Sequence, residues 1–366
     1  MMGEFVFRNL FHRPVRTLIG VLAIAVEVTL VVTIVGLTSG MLQETAKRIE
    51  GIGADVMMQS PSAQIFLAFS GSPMPIKIAD KIAELKYVRA VAPALLQFNS
   101  TGGVEVVYGI DPDSFRAVSS GFVFHQGRDI QGPDDLLVDD WAAKAKRLKV
   151  GDTYNLLSHD WQVVGIVEHG KGARLFVPIT TLQDLVGAHD KASIFLVKCT
   201  RPEHADDVIE EMKATFPTYP VRPLKDFMTL MTSTNIPALQ TFINSMIALA
   251  VSIGLLVIFL TMYTTVLERT RDIGVLKSLG ASKLLIVRSL LTETTLLCFF
   301  GIAAGIGLSY LVRAGFLALF PTLSILITPE WLIRAACISL VGAVLGASYP
   351  AWLASRKDPV EALTYD

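Results

Sequence analysis

Charge is what this 366-residue chain has least of: Lys, Arg, Asp and Glu make up 18% of it, against about a quarter in soluble domains. That shortage argues against an ordinary water-soluble enzyme. The net charge of −1 supplies no broad basic surface, so nucleic acid is excluded as a partner. Cysteine is equally sparse. Of the three, only Cys199 lies in the charged central segment, so no disulfide forms within it. The six histidines are scattered, and none pairs with a carboxylate or thiol at metal-ligand spacing. Asp134, Asp135, Asp139 and Asp140 cluster without matching any calcium loop, and are read as a solvated turn and helix start. Gly165-Ile-Val-Glu-His-Gly-Lys-Gly172 approaches a phosphate loop but ends in Gly172 where Ser or Thr is needed. A strand-like run follows it, so a β-hairpin turn is expected there.

Long apolar runs are what the chain does have. Between Arg16 and Glu44 the single charge is Glu27, and 227–267 contains none; 294–312 and 335–355 are apolar as well. Each run reaches the ~20 residues that cross a bilayer. The second run is too long for one crossing, and is read as a stalk leading into a span that Pro237 starts or kinks. The first run lacks a small-residue cleavage site and is read as an uncleaved anchor. Of the 65 charged residues, 44 lie between Glu44 and Thr241, marking one large aqueous segment. Ten Lys and Arg residues flank the spans on the side of both termini and the 269–288 loop, against Arg313 and Arg334 on the other. By the positive-inside rule the termini are cytoplasmic and the long segment is outside. Glycine pairs at i, i+4 within the spans (36/40, 301/305, 342/346) are read first as packing within one subunit.

The expected fold is therefore a membrane α-helical protein of four transmembrane helices plus an extracytoplasmic α+β domain. In that domain 54–59, 76–85 and 88–97 read strand, helix, strand, and 193–199, 203–216 and 219–223 repeat the order. This suggests a ferredoxin-like module split by a β-rich insertion at about 102–185. The expected division is an elbow at 1–16, a first span at 17–43, the external domain at 44–226, and a stalk with second span at 227–267. A cytoplasmic coupling helix at 268–284 follows, then a third span at 285–312, an external loop at 313–334, a fourth span at 335–355 and a tail at 356–366.

Glu268-Arg-Thr-Arg-Asp-Ile-Gly-Val-Leu-Lys-Ser-Leu-Gly-Ala-Ser-Lys283 combines charge, an Ile273/Leu276/Leu279 stripe and a Gly280 stop. It reads as a short amphipathic helix at the inner membrane face, either a mere anchor or a docking peg. The stretch resembles the E-R-x-R-E-I-G motif of bacterial ABC-transporter permeases of the MacB/FtsX/LolE type, called mechanotransmission or type VII. Arg8-Asn-Leu-Phe-His-Arg-Pro-Val-Arg-Thr17 is similar to the family's N-terminal elbow, and Tyr349-Pro-Ala-Trp-Leu-Ala-Ser-Arg-Lys-Asp-Pro-Val-Glu-Ala-Leu363 to its closing segment. Asp272 replaces the usual Glu, and Ser278 the usual Ala.

The resemblance implies a non-enzymatic transport subunit of the bacterial inner membrane that acts as a dimer. It binds a cytoplasmic ABC ATPase dimer, which carries the ATP and magnesium; this chain itself binds no cofactor. The ATPase is expected on a separate polypeptide, because the chain starts at the elbow without a complete phosphate loop. A second permease copy or homologous permease, a periplasmic adaptor and membrane lipid complete the implied partners. Carried over by position, Glu268, Arg269, Arg271, Asp272, Ile273, Gly274, Leu279, Gly280 and Ala281 form the ATPase-coupling motif. Charge reversal at Arg269 and Arg271 is expected to spare folding and lower ATPase stimulation. The implied cargo is an amphipathic molecule such as a lipoprotein, peptide or antibiotic. The alternative is an FtsX-like signalling subunit that activates a cell-wall hydrolase; the size of the external domain favours transport. Glu27, an intramembrane acid, is costly unless it faces protein. It has either a structural role, with Asn244, Ser252 or Thr261 as partner, or a functional one.

Overall fold

The computed structural model describes residues 14–61, 72–99, 105–226 and 237–357. Most of the elbow, the 227–236 stalk and the tail beyond 357 lie outside the described residues. The chain divides into two compact units: 1–40, 237–319 and 325–366 form one, and 41–236 with 320–324 the other. Helix α1 (Pro14–Glu50) is continuous along the chain through residues of both.

The second unit is the α/β domain. Its elements are β1 (Val56–Gln59), β2 (Met74–Pro75), α2 (Ile78–Ala83), β3 (Val88–Asn99), β4 (Glu105–Ile110), α3 (Pro112–Ser119), β5 (Phe124–Gly127) and β6 (Asp135–Asp139). There follow α4 (Asp140–Lys146), β7 (Thr153–Leu156), β8 (His159–Val167), β9 (Leu175–Pro178), α5 (Ile179–Val186), β10 (Lys191–Ala192), β11 (Ile194–Cys199), α6 (Ala205–Thr215) and β12 (Val221–Pro223). Local sequence explains the helix starts. Asp111 accepts from Ser114 N with Pro112 in the first turn, and Asp139 accepts from Ala142 N.

The main sheet runs β12-β1-β11-β3-β4-β9-β6-β8-β5, with β7 on β8. Its first four strands are antiparallel. With α2 and α6 they reproduce the split ferredoxin-like module read from the sequence, around a core that includes Val56, Met58, Phe195, Val208 and Met212. The inserted part has its own core around Trp161, Leu136, Val163 and Leu182. Trp161 is fully buried and donates its indole N–H to Leu156 O at 3.0 Å. Three helices, α3 to α5, accompany the strands of the insertion.

One expectation fails here. The 168–174 segment is not a hairpin turn: β8 pairs parallel with β6, and β9 pairs antiparallel with β6. The two strands therefore flank a third, and the segment between them crosses over its end. A run of glycines signals tight backbone, but not which strands it joins.

The first unit holds α1 together with α7 (Pro237–Glu268), α8 (Thr270–Ser278), α9 (Lys283–Leu319) and α10 (Pro329–Arg356). Among the described residues, four of its helices, all but α8, are long and apolar enough to cross a membrane. Pro237 begins α7. Helix α9 runs to Leu319 and α10 begins at Pro329, so the turn between them is shorter than the 313–334 loop read from the sequence. Pro329 fits the first turn of α10, where its missing N–H costs nothing. The core gathers Ile24, Val28, Val31, Ala250, Ile258, Cys298, Ala343 and Ala347. Gly301 and Gly305 let α1 approach α9, and Gly346 lets α10 approach the α7 backbone; a Cβ at any of the three would lie under 3 Å from its neighbour.

Candidate functional site

Helix α8 is built by its ends. Arg269 occupies the N-cap, and Gly280 takes φ +93° to close the C-terminus. Gly280 N donates to Lys277 O and Ala281 N to Leu276 O, both at 3.0 Å, the two bonds of a Schellman cap. Ser282 Oγ then accepts from Leu285 N and starts α9.

The helix has a fixed inner side. Ile273 and Gly274 are buried. Arg269 Nη1 lies 3.1 Å from Glu293 Oε2 of α9, with only 15% and 7% of the two side chains exposed. Lys277 Nζ donates to the carbonyls of Ser355 (2.7 Å) and Lys357 (2.5 Å), satisfying acceptors at the end of α10. Lys357 Nζ approaches Thr270 Oγ1 at 3.4 Å.

The outer side carries Arg271, Asp272, Val275, Leu276 and Leu279, all exposed. The apolar stripe read from the sequence is therefore split, with Ile273 inward and Leu276 and Leu279 outward. The reason is geometric. Steps of three residues fall about 60° short of a full turn each time, so Leu279 lies roughly 120° around from Ile273. Leu279 is 80% exposed and Leu284 of α9 76%, a conspicuous cost unless something covers them. Beside them a groove of 410 Å³ runs between α8 and α9, walled by Leu276, Ile286 and Leu290 with Arg269, Asp272 and Glu293 at its polar edge. Of the residues carried over, Glu268 closes α7 and Ala281 is half-buried in the turn. Glu293, Lys277, Thr270 and Lys357 were missed. Glu293 was visible as a charge just ahead of the third apolar run, but its partner lies 24 residues away.

Glu27 is 4% exposed in α1. Ser339 Oγ of α10 donates to its Oε1 at 3.1 Å. The partners suggested by the sequence are engaged elsewhere. Ser252 donates to Ala248 O, Thr261 to Val257 O, and Asn244 accepts from Gln240. The carboxyl sits on Gly254 of α7, where a Cβ would fall 2.0 Å from Oε2.

A family profile described as MacB-like periplasmic core domain matches residues 17–215, more than half the chain. A second, FtsX-like permease C-terminal, matches 244–359. The chain belongs to the MacB/FtsX-like permease family. Among its curated relatives, Macrolide export ATP-binding/permease protein MacB of Shewanella sp. (strain W3-18-1) is 27% identical over 96% of this chain and 58% of the relative. The protein of the same description from Sodalis glossinidius (strain morsitans) is 28% identical over the same shares. The chain thus spans 58% of the length of these relatives. Among solved structures, the periplasmic region of MacB from Actinobacillus actinomycetemcomitans aligns with 50% of this chain and 95% of its own, at 17% identity and TM-score 0.38. The extracellular domain of noncanonic ABC-type transporter YknZ from Gram-positive bacteria aligns with 46% and 99%, at 13% identity and TM-score 0.36.

In this MacB/FtsX-like permease the acidic cluster of the α/β domain is structural. Asp134 pairs with His159 at 2.8 Å, and Asp140 with His169 at 3.0 Å. Asp135 is buried rather than solvated. Despite the opposing cost of burial, bonds from Arg128, Gln131 N and Gly132 N hold its carboxyl below the ordinary range. Asp139 is fully buried and caps α4, and burial pushes its carboxyl up to about 6. Because the folded carboxyl holds its proton more tightly than the unfolded one, its contribution is fully present below pH 3.8 and is lost as pH rises through about 6. Asp139→Asn keeps a capping side chain but removes the buried charge. We expect the variant to be more stable than wild type at pH 8 by about 1–3 kcal/mol, with the gain vanishing near pH 4. Thermal melting of the full chain across pH 4–8 measures this, and parallel profiles would refute it.

Proposed function

We propose that this chain is the permease subunit of an ABC transporter in a bacterial inner membrane, with its termini and α8 on the cytoplasmic side. A cytoplasmic ABC ATPase dimer on a separate polypeptide docks on α8, and two permease copies, identical or homologous, assemble around it. ATP-driven closure of the ATPase is passed to the α/β domain, which exports or extracts an amphipathic substrate on the outer side. The observation that carries this reading is the outer face of α8, where Arg271 and Asp272 border the exposed Val275, Leu276 and Leu279 beside a groove. A partner does work only through contacts that differ between its own states. A short helix clamped from behind by Arg269–Glu293 and Lys277 passes such a difference to the helices joined to it.

Leu276→Glu with Leu279→Glu places charge on that face without touching the clamps. We expect at least a tenfold loss of co-purifying ATPase and of permease-stimulated hydrolysis, with an unchanged melting temperature. Undiminished co-purification would overturn the docking assignment. A co-purifying cell-wall hydrolase in place of transported material would instead favour the signalling alternative.

A further inference from the structure

The glycine-rich 165–172 stretch, neither phosphate loop nor hairpin turn, leads to Arg174. Its Nη2 donates to Glu44 Oε1 of α1 and to Thr322 O, both at 3.1 Å. Nη1 lies 3.6 Å from Asp139 Oδ2, and the guanidinium lies over Trp141 at 5.3 Å. Glu44 also pairs with Arg48 at 3.0 Å, and Trp141 stacks on His169 at 4.4 Å. Arg174 is mostly buried and spans separations of 130 and 148 residues along the chain. The loop itself grips the end of α1. A Cβ on Gly51 would meet Gly170 O at 2.1 Å, and one on Gly172 (φ +91°) would meet Ile52 and Tyr108 at 2.9 Å. Neither contact tolerates a side chain.

Placement in the sheet gives this clasp its significance. Arg174 immediately precedes β9, the strand that pairs parallel with β4 and antiparallel with β6. It therefore sits at the start of a central strand of the inserted part, next to β4, the strand that pairs with β3 of the ferredoxin-like half. Its three partners belong to different stretches of chain: the last turns of α1, the turn linking α9 to α10, and the β6–α4 junction. An always charged guanidinium with five donors in a fixed fork is suited to bond Glu44 and Thr322 while facing the Asp139 carboxylate, which a lysine ammonium on a flexible stem does less well.

We propose that Arg174 is a positioning residue of the transport cycle, the point at which displacement of α1 and of the α9–α10 turn is delivered to the central strands of the α/β domain. This rests on the proposed function, since it needs ATP-driven displacement to deliver. Such a role requires that removing the residue change the response of the strands it precedes. The test uses the full permease with its co-purified ATPase, comparing hydrogen exchange in residues 135–178 with and without ATP, magnesium and vanadate. In wild type we expect an ATP-dependent change there. In Arg174→Met it should shrink at least fivefold while ATP hydrolysis stays within twofold of wild type. Arg174→Lys, which keeps the charge and guards against misfolding of the methionine variant, should recover an intermediate change. A full wild-type response in both variants overturns the clasp alone, as does a parallel fall in hydrolysis and exchange. No ATP-dependent change in wild type overturns the proposed function and the clasp with it.

Discussion

Replacing Glu293 with leucine is expected to destabilise the helical unit by about 3–5 kcal/mol, because it leaves the Arg269 guanidinium buried without its counter-charge. Removing both charges tells a different story. A buried ion pair pays a desolvation cost close to its Coulombic gain, so well-packed apolar replacements for both partners often leave stability unchanged. The double variant Arg269→Met/Glu293→Leu should therefore recover most of the loss. Thermal melting in detergent or nanodiscs gives the cycle, and additive single effects would show that the two side chains do not act as a pair. The structure also corrects the expectation that reversing Arg269 and Arg271 together spares folding. Arg271 is exposed, so its reversal is expected to leave folding intact; Arg269 is enclosed beside Glu293, so its reversal is expected to destabilise the helical unit. Only Arg271 reports on docking alone.

The contrast between these two arginines shows what the sequence reveals. Both carry the same charge in the same motif, two residues apart, so one-dimensional spacing gives them one role. Successive positions two apart face directions about 160° apart on a helix, and here one direction is α9 and the other is open. The spans and the position of α8 were legible because they rest on hydropathy and local caps. The ferredoxin-like order was legible because each half repeats a local strand-helix-strand pattern. What stayed hidden depends on tertiary pairing. Ser339 lies 312 residues from Glu27, Glu44 lies 130 from Arg174, and β9 leaves its sequence neighbour β8 to pair with β4 and β6. Asp139 and Asp135 looked solvated because acids usually are; an N-cap and an arginine pair make their burial tolerable.

Gly254→Ala is expected to cost about 2–4 kcal/mol, more than the ~1 kcal/mol by which alanine is normally the better helix former. The added methyl would occupy the place of the Glu27 carboxyl, so that side chain must move. One way out is the groove between α1 and α7, whose wall is Leu22, Val26, Leu30, Ile253 and Val257 with Glu27 as the single acid. There the carboxyl loses Ser339 and faces apolar surroundings, at a cost on the order of 2–3 kcal/mol. Glu27→Ala is expected to suppress the defect, because it vacates the space that the new methyl needs. Glu27→Gln should not suppress it, since the amide is as large as the carboxyl, yet alone it should be tolerated by keeping a bond from Ser339. Melting temperatures of the three single variants and two doubles decide the matter. Suppression by glutamine as well would mean that charge, not volume, sets the conflict. Full transport by the glutamine variant would then assign Glu27 to the lock between α1, α7 and α10 and remove it from the transport chemistry.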